Sequence, residues 1–280
     1  MSDSAAFFRA ANILTLDYPY AAAIASALSV CDEACIVVGQ SQDGTRDAIY
    51  AMQAQYGADR LKVREEIIHY DRGWQERWWQ WCAEMTTADW QLWLDLDEVI
   101  APEAAPWLRD MMDDPALFLV RFPFVHFYAT ANYTGAFRLT RNTRLGRASA
   151  GWRMVNMCDD LHPTWSACAM RVGNHETNGV DAHSYHEHGI VDSQWPILHY
   201  GWCRTPQALG ISQAKHYAWY ADGDGLADGH VPDVPPYDFC FEQQLTNGWA
   251  RPYAGEHPIG MAEWMAAHTA VWAELERVTA

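Results

Sequence analysis

The run Trp90-Gln91-Leu92-Trp93-Leu94, which leads into Asp95-Leu96-Asp97-Glu98, constrains this chain more than any other segment. A short apolar stretch bounded by charge reads as a buried strand, and side chains alternate along a strand. A strand from Trp90 to Leu96 projects Asp95 and Asp97 one way and Leu92, Leu94 and Leu96 the other. Two carboxylates then converge where the strand emerges from the core. They repel unless a cation lies between them, and hard oxygen ligands favour Mg²⁺ or Mn²⁺, through which a diphosphate can be clamped. The competing reading is a solvated turn before a helix that begins near Pro102, because acidic residues and Pro both favour a first helical turn.

The residues ahead of this run alternate between strand and helix signals. Ala11–Leu16 reads as a first strand, Tyr20–Ser29 as an alanine-rich helix and Ala34–Gly39 as a second buried strand. The turn Ser41-Gln42-Asp43-Gly44-Thr45 follows, with Thr45 placed to cap a helix through Gln55. Leu61–Arg64 suggests a third strand and Trp74–Met85 a tryptophan-heavy helix. This order predicts an α/β protein with an open, mainly parallel sheet flanked by helices. Beyond Pro102, strands are expected over Ala116–Phe122 and Phe124–Tyr128, with Phe137–Leu145 continuing as a hairpin. Loops are expected over Gly173–Pro196. The spacing of Met261, Trp264, Met265, His268, Val271 and Trp272 predicts a C-terminal amphipathic helix. Asp222-Gly223-Asp224-Gly225 lacks the further ligands of a calcium loop and reads as a turn.

Composition narrows the function classes. Of 280 residues, 50% are hydrophobic, which is enough for a large core, and the net charge of -17 argues against a generally cationic surface for nucleic acid or anionic lipid. Arginines at 138, 141, 144 and 147, followed by Arg153, form a local exception, read either as a phosphate-binding series or as a solvated face. Seven cysteines without a Cys-x-x-Cys pair fit a reduced, cytoplasmic protein. The N-terminus lacks the basic region of a secretion signal, and no apolar stretch is long enough for a transmembrane segment. The many tryptophans belong mostly to the core, with one or two expected to line a cleft.

Taken in order, the strand, Ser-x-Asp-Gly-Thr, the helix, Gly73-Trp74-Gln75-Glu76-Arg77 and Trp93-Leu94-Asp95-Leu96-Asp97-Glu98 resemble the nucleotide-sugar half of family-2-like glycosyltransferases with the GT-A fold. The resemblance covers about residues 10–105, and Leu198-His199-Tyr200-Gly201-Trp202 looks like a segment near the end of the catalytic domain in that group. It implies a GT-A-like (Rossmann-like) single catalytic domain with a nucleotide-sugar half over 1–105, an acceptor-side half over 106–210 and a C-terminal helical extension over 211–280. It further implies that Ser41 and Asp43 lie at the nucleotide, Arg77 near the diphosphate or donor sugar, and Asp95 at the ribose and metal. Asp97 is then a direct metal ligand, with His199 completing the coordination of Mn²⁺ or Mg²⁺.

Under that resemblance the donor is a nucleotide-diphosphate sugar, by default a UDP-sugar. The acceptor is a glycan or lipopolysaccharide precursor, a protein, or a hydroxylated DNA base. An inverting displacement needs a carboxylate base on the acceptor side, and Asp159, Asp160, Glu176, Glu187 and Asp192 are the candidates. Asp160 and Glu187, each with a histidine nearby in sequence, are preferred. Two other readings stand beside this one. The first is a zinc-dependent hydrolase or lyase built on His175, His183, His186 and His188 with Glu187. The second is a module that binds nucleotide sugars without catalysis.

Overall fold

In the computed structural model, which describes residues 3–69, 74–101, 103–136, 141–156, 168–172, 175–176, 189–222 and 231–277, the N-terminal strands form a parallel nucleus. β1 (Ser4–Ala10) lies between β2 (Glu33–Val38) and β4 (Trp90–Trp93), and β3 (Leu61–Glu65) extends the sheet beyond β2. Phe7 stands in register with Cys35 on one side and Trp93 on the other. Both faces of this nucleus are buried, which explains why its strands read as continuous apolar runs rather than alternating ones. Ala6, Phe8, Ala10, Ile36 and Val38 face a core shared with α1 (Tyr20–Val30), α2 (Thr45–Tyr56) and α4 (Ala104–Asp113). Ala5, Phe7, Cys35 and Val37 face α3 (Trp74–Glu84), whose Trp78, Trp79 and Cys82 fill the opposite layer. Full burial of the larger of these side chains, such as Phe7, Phe8 and Ile36, contributes about 1.5–3 kcal/mol each.

The sheet then turns mixed. β8 (Arg141–Arg147) runs antiparallel between β4 and the long β6 (Leu119–Tyr128). β6 also carries β12 (Ile190–Asp192) and β13 (Ile197–Trp202) in parallel and β7 (Thr130–Gly135) antiparallel, and β7 carries β14 (Ala250–Pro252). β13 holds β5 (Glu98–Ile100) on its other edge. β9 (Trp152–Asn156), β10 (Cys168–Val172) and β11 (His175–Glu176) form a separate antiparallel sheet. Helices α5 (Pro206–Asp222), α6 (Phe241–Thr246) and α7 (Ala262–Arg277) complete the described chain. The expected α/β class, with an open sheet and flanking helices, is therefore present. Among the described residues no helix is long and apolar enough to cross a membrane.

Four local expectations are corrected. The first strand is Ser4–Ala10, and residues 11–16 form a turn: Asn12 has φ 52° and its carbonyl accepts a hydrogen bond from Leu16 N. Asn tolerates that left-handed backbone, and a six-residue apolar run carries no phase by which to tell strand from buried turn. Thr45 is the first helical residue rather than a side-chain cap. It donates to Asp43 Oδ1 through both its backbone N (3.0 Å) and its hydroxyl (2.5 Å). β6 passes through Pro123 unbroken, because Pro123 pairs with Arg141 at the very start of β8. The strand expected to reach Leu96 stops at Trp93, where Asp95–Glu98 closes a turn through Glu98 N and Asp95 O (3.0 Å).

The C-terminal helix is found as expected, with His268 and Trp272 buried and Trp272 Nε1 donating to Cys203 O (3.0 Å). His268 lies 2.7 Å from Trp264 O through Nδ1 and 2.7 Å from Asp17 Oδ2 through Nε2. A carbonyl and a carboxylate only accept, so both ring nitrogens donate and the imidazole is cationic. Burial alone depresses the His268 value, yet Asp17 and the Trp264 carbonyl hold it above 6.5. Burial likewise raises Asp17, and His268 with Thr205 N outweighs this and holds it below 3.8. The pair's stabilisation is fullest between those two ordinary values. It is lost as pH falls through the lowered Asp17 value or rises through the raised His268 value. His268→Leu is expected to cost about 2 kcal/mol near pH 5.5 and distinctly less near pH 9, measured by urea unfolding at both pH values.

Candidate active site

Asp95, Asp97 and Glu98 sit on the turn that follows β4, at the C-terminal edge of the parallel nucleus, where open α/β sheets bind ligands. Glu98 is buried and faces inward: its Oε2 accepts Asp95 N (3.1 Å), and its Oε1 pairs with Arg144 Nη2. Burial pushes the Glu98 carboxyl up and the Arg144 guanidinium opposes it. Arg144 also lies over the Trp93 ring at 4.1 Å. Glu98 thus closes the turn and leaves the two aspartates for other work.

Asp97 is 6% exposed, and its Oδ1 is buried with no hydrogen bond among the described residues. Asp95 is more open, and its Oδ1 accepts no hydrogen bond either, lying 3.6 Å from Arg9 Nη2. β13 brings the third group. His199 pairs with Glu98 across β5 and with His126 across β6, and Tyr200 N donates to Asp97 O (2.8 Å). His199 Nε2 stands 3.8 Å from Asp97 Oδ2, while its Nδ1 meets His126 Nδ1 at 2.8 Å. Burial pushes Asp97 up to about 6, against the pull of Arg204 and with the push of Asp95. It also drives His199 down to about 4, which keeps the ring neutral and its nitrogen a lone-pair donor at neutral pH.

Gly201 keeps the gap between these groups open. A Cβ built there falls 2.6 Å from His199 Nε2 and 2.7 Å from Asp97 Oδ2. Orphaned carboxylate oxygens, a neutral imidazole and a backbone without a side chain between them fit a Mn²⁺ or Mg²⁺ site. Among the described residues no group of three or more His, Cys, Asp or Glu side chains is arranged to hold a metal.

Ser41 lines a cleft of about 340 Å³ with Gly39, Gln40, Arg46, Glu65 and Glu66, at the ends of β2 and β3. Asp43 lies two residues further along the same turn. Its Oδ2 accepts Thr15 N (2.7 Å) and its Oδ1 accepts Thr45, so it ties the turn after β1 to the start of α2. Despite burial, those hydrogen bonds hold its carboxyl below 3.8. Arg77 is on α3, where it donates to His69 O (2.8 Å). Asp160 and Glu187 lie outside the described residues, as do His183, His186 and His188.

Of the arginine series, the structure describes the side chains of Arg144 and Arg147, and neither forms a solvated face or an open phosphate clamp. Arg147 pairs with Asp89 (2.9 Å) and donates to the carbonyls of Leu117, Met112 and Asp114. Sequence reasoning missed Arg9 and Arg204. Arg204 is buried, reaches Gly201 O, Leu16 O and Ser212 Oγ, and supports the charge of Asp97. An isolated arginine in β1 and another after β13 carry no local pattern to reveal that they meet one acidic turn.

No protein-family model and no curated protein sequence matches the chain. Solved structures that it resembles in part include GT-A glycosyltransferases. In particular, it is similar to S. aureus TarS 1-349, with a TM-score of 0.38 and 14% identity over 53% of this chain and 48% of that one. It is also similar to the mannosyltransferase PcManGT from Pyrobaculum calidifontis in complex with GDP-Man and Mn²⁺ (TM-score 0.35, 18% identity, 44% and 35% covered). A third is glucosyl-3-phosphoglycerate synthase from Mycobacterium tuberculosis with Mn²⁺, UDP and glucosyl-3-phosphoglycerate (0.31, 18%, 45% and 44%). The matched part spans less than half of each of these chains.

Two outcomes follow from the geometry. For the Mn²⁺ site proposed below, Gly201→Ala is expected to weaken Mn²⁺ binding by about tenfold or more with the far-UV spectrum unchanged, measured by electron paramagnetic resonance of free Mn²⁺. Arg144→Leu strands a buried carboxylate and is expected to cost about 3–5 kcal/mol in urea unfolding. The double variant Arg144→Leu/Glu98→Gln should recover part of that loss.

Proposed function

We propose that this chain transfers a sugar from a nucleotide-diphosphate sugar to an acceptor hydroxyl, with Mn²⁺ or Mg²⁺ held by Asp97 and His199 and with Asp95 beside them. One observation carries the reading. A buried aspartate with an orphaned oxygen stands next to a neutral imidazole, across a gap that only glycine leaves open. A carboxylate with no such task would be hydrogen-bonded or would face water. The order of motifs from Ser41 to Glu98, with His199-Tyr200-Gly201 after it, supports the same reading.

When bound, the cation supplies Lewis-acid neutralisation of the charge that builds on the departing diphosphate. The protein's part is to hold and orient. His126 Nδ1 fixes the His199 ring so that Nε2 is turned toward Asp97. Glu98 and Arg144 hold the turn, and Asp43 holds the neighbouring one. Ser41 lies at the cleft that would take the nucleoside. Under an inverting displacement, Asp160 or Glu187 would accept the acceptor's proton. The acceptor is a glycan or lipopolysaccharide precursor, a protein or a hydroxylated DNA base.

The test is a thermal-shift and hydrolysis screen of UDP- and GDP-sugars, with and without Mn²⁺, on the wild type and Asp97→Ala. At least one donor is expected to raise the wild-type melting temperature only when Mn²⁺ is present, and Asp97→Ala is expected to lose that rise. A wild type that no donor stabilises, or a variant that behaves like it, overturns the reading.

A further inference from the structure

In the cleft at the ends of β2 and β3, most of the polar side chains are already engaged within the protein. Ser41 donates to Gly39 O (3.1 Å) and accepts Asn12 N (3.0 Å). Glu65 accepts Tyr50 Oη (2.8 Å) with one oxygen and Arg46 Nε (3.0 Å) with the other, and Glu66 accepts Arg64 Nε. Gln40 differs. Its Oε1 accepts Ile68 N (2.9 Å), and because a backbone N–H only donates, the amide atom facing Ile68 is the oxygen. Both hydrogens of Nε2 are left without an acceptor among the described residues. The anchor is firm: Ile68 is buried against Gly39, where a Cβ would fall 2.5 Å from Ile68 Cδ1, and Glu66 N donates to Val38 O (3.0 Å). Gln40 therefore offers the cleft a donor of fixed orientation.

We infer that Gln40 reads the nucleobase of the donor, with Nε2 donating to an exocyclic oxo group, so that the chain selects uracil or guanine over cytosine or adenine. The inference rests on the nucleotide-sugar reading proposed above. The cleft suits a neutral ring better than a phosphate. Its two glutamates repel an anion, and Arg46 is already paired with Glu65. Ile67, 60% exposed, and Gly39, with no side chain, give a planar ring apolar surface to lie against. Within the pyrimidines, as within the purines, a base held by its ribose brings the same exocyclic position to the same place. Uracil and guanine carry an oxygen there, which accepts from Nε2. Cytosine and adenine carry an amino group, which sets donor against donor and leaves both without a partner.

The experiment is a calorimetric titration of the full chain, in excess Mn²⁺, with two matched pairs of nucleotides: UDP against CDP, and inosine diphosphate against ADP. Wild type, Gln40→Glu and Gln40→Met are compared. The wild type is expected to bind the oxo member of at least one pair about tenfold more tightly than its amino counterpart, and the pair that shows the preference tells a uridine donor from a guanosine one. Gln40→Glu keeps an acceptor for Ile68 N but replaces the donor by a second acceptor, and its ratio should fall to one or reverse. Gln40→Met should bring the ratio close to one. Each ratio is taken on a single protein, so a general loss of affinity or the added charge cancels. The inference is overturned by a wild type without preference for the oxo member in either pair, or by a variant that keeps the wild-type ratio. A wild type that binds none of the four nucleotides sinks the nucleotide-sugar reading itself. A wild-type preference that Gln40→Glu leaves untouched sinks only the role given to Gln40.

Discussion

The buried ion pair between Glu98 and Arg144 is what allows three acidic residues within four positions to sit at the edge of a core. Taking a carboxylate out of water costs several kcal/mol unless a charge and hydrogen bonds replace the water. Arg144 and Asp95 N provide that replacement for Glu98. The turn is thereby fixed, and Asp95 and Asp97 keep oxygens that nothing else in the described protein occupies. Without this brace the like charges would drive the turn outward into solvent, and the site would be lost with it.

Much of the architecture was readable in the residues, for reasons that differ by element. α2, α3 and α7 have polar and apolar faces at helical spacing; the bounds of α2 and α3 come out within a residue of those expected, and α7 carries most of the expected stripe. β2 and β3 are similarly clear, being short apolar or mixed runs between turn residues. The position of β1 was not readable, because Ser4–Ala10 and residues 11–16 are equally apolar and only the tertiary knot around Asn12, Asp43 and Thr45 separates them. The end of β4 was misplaced for a related reason. Leu94 and Leu96 are buried as alternation requires, but in a turn closed by Glu98.

The candidate site divides along similar lines. Asp95, Asp97 and His199 were identifiable because they lie in compact motifs, and β13 brings the last two together by pairing with both β5 and β6. Arg9, Arg204 and His126 reach the same place from three separate strands or strand ends, and contacts of that range leave no trace in local spacing. The arginines at 144 and 147 show the converse. Their regular spacing suggested a shared surface, yet strand geometry and the partners Glu98 and Asp89 make each a separate internal clasp. In a chain with net charge -17, the buried Arg144 is placed where the buried Glu98 had to be tolerated.

β13 also has a consequence for how the molecule is made. It enters late in the chain and slots beside strands formed far earlier, with His199 contacting His126 across 73 residues of sequence. Pairings of such long range form slowly, because a large loop must close before any contact rewards it. During synthesis the first hundred residues emerge with their acidic turn but without the imidazole and the glycine gap that accompany it. The nascent chain thus lacks His199 and Gly201 beside Asp97 until β13 has been synthesised and has paired with β5 and β6.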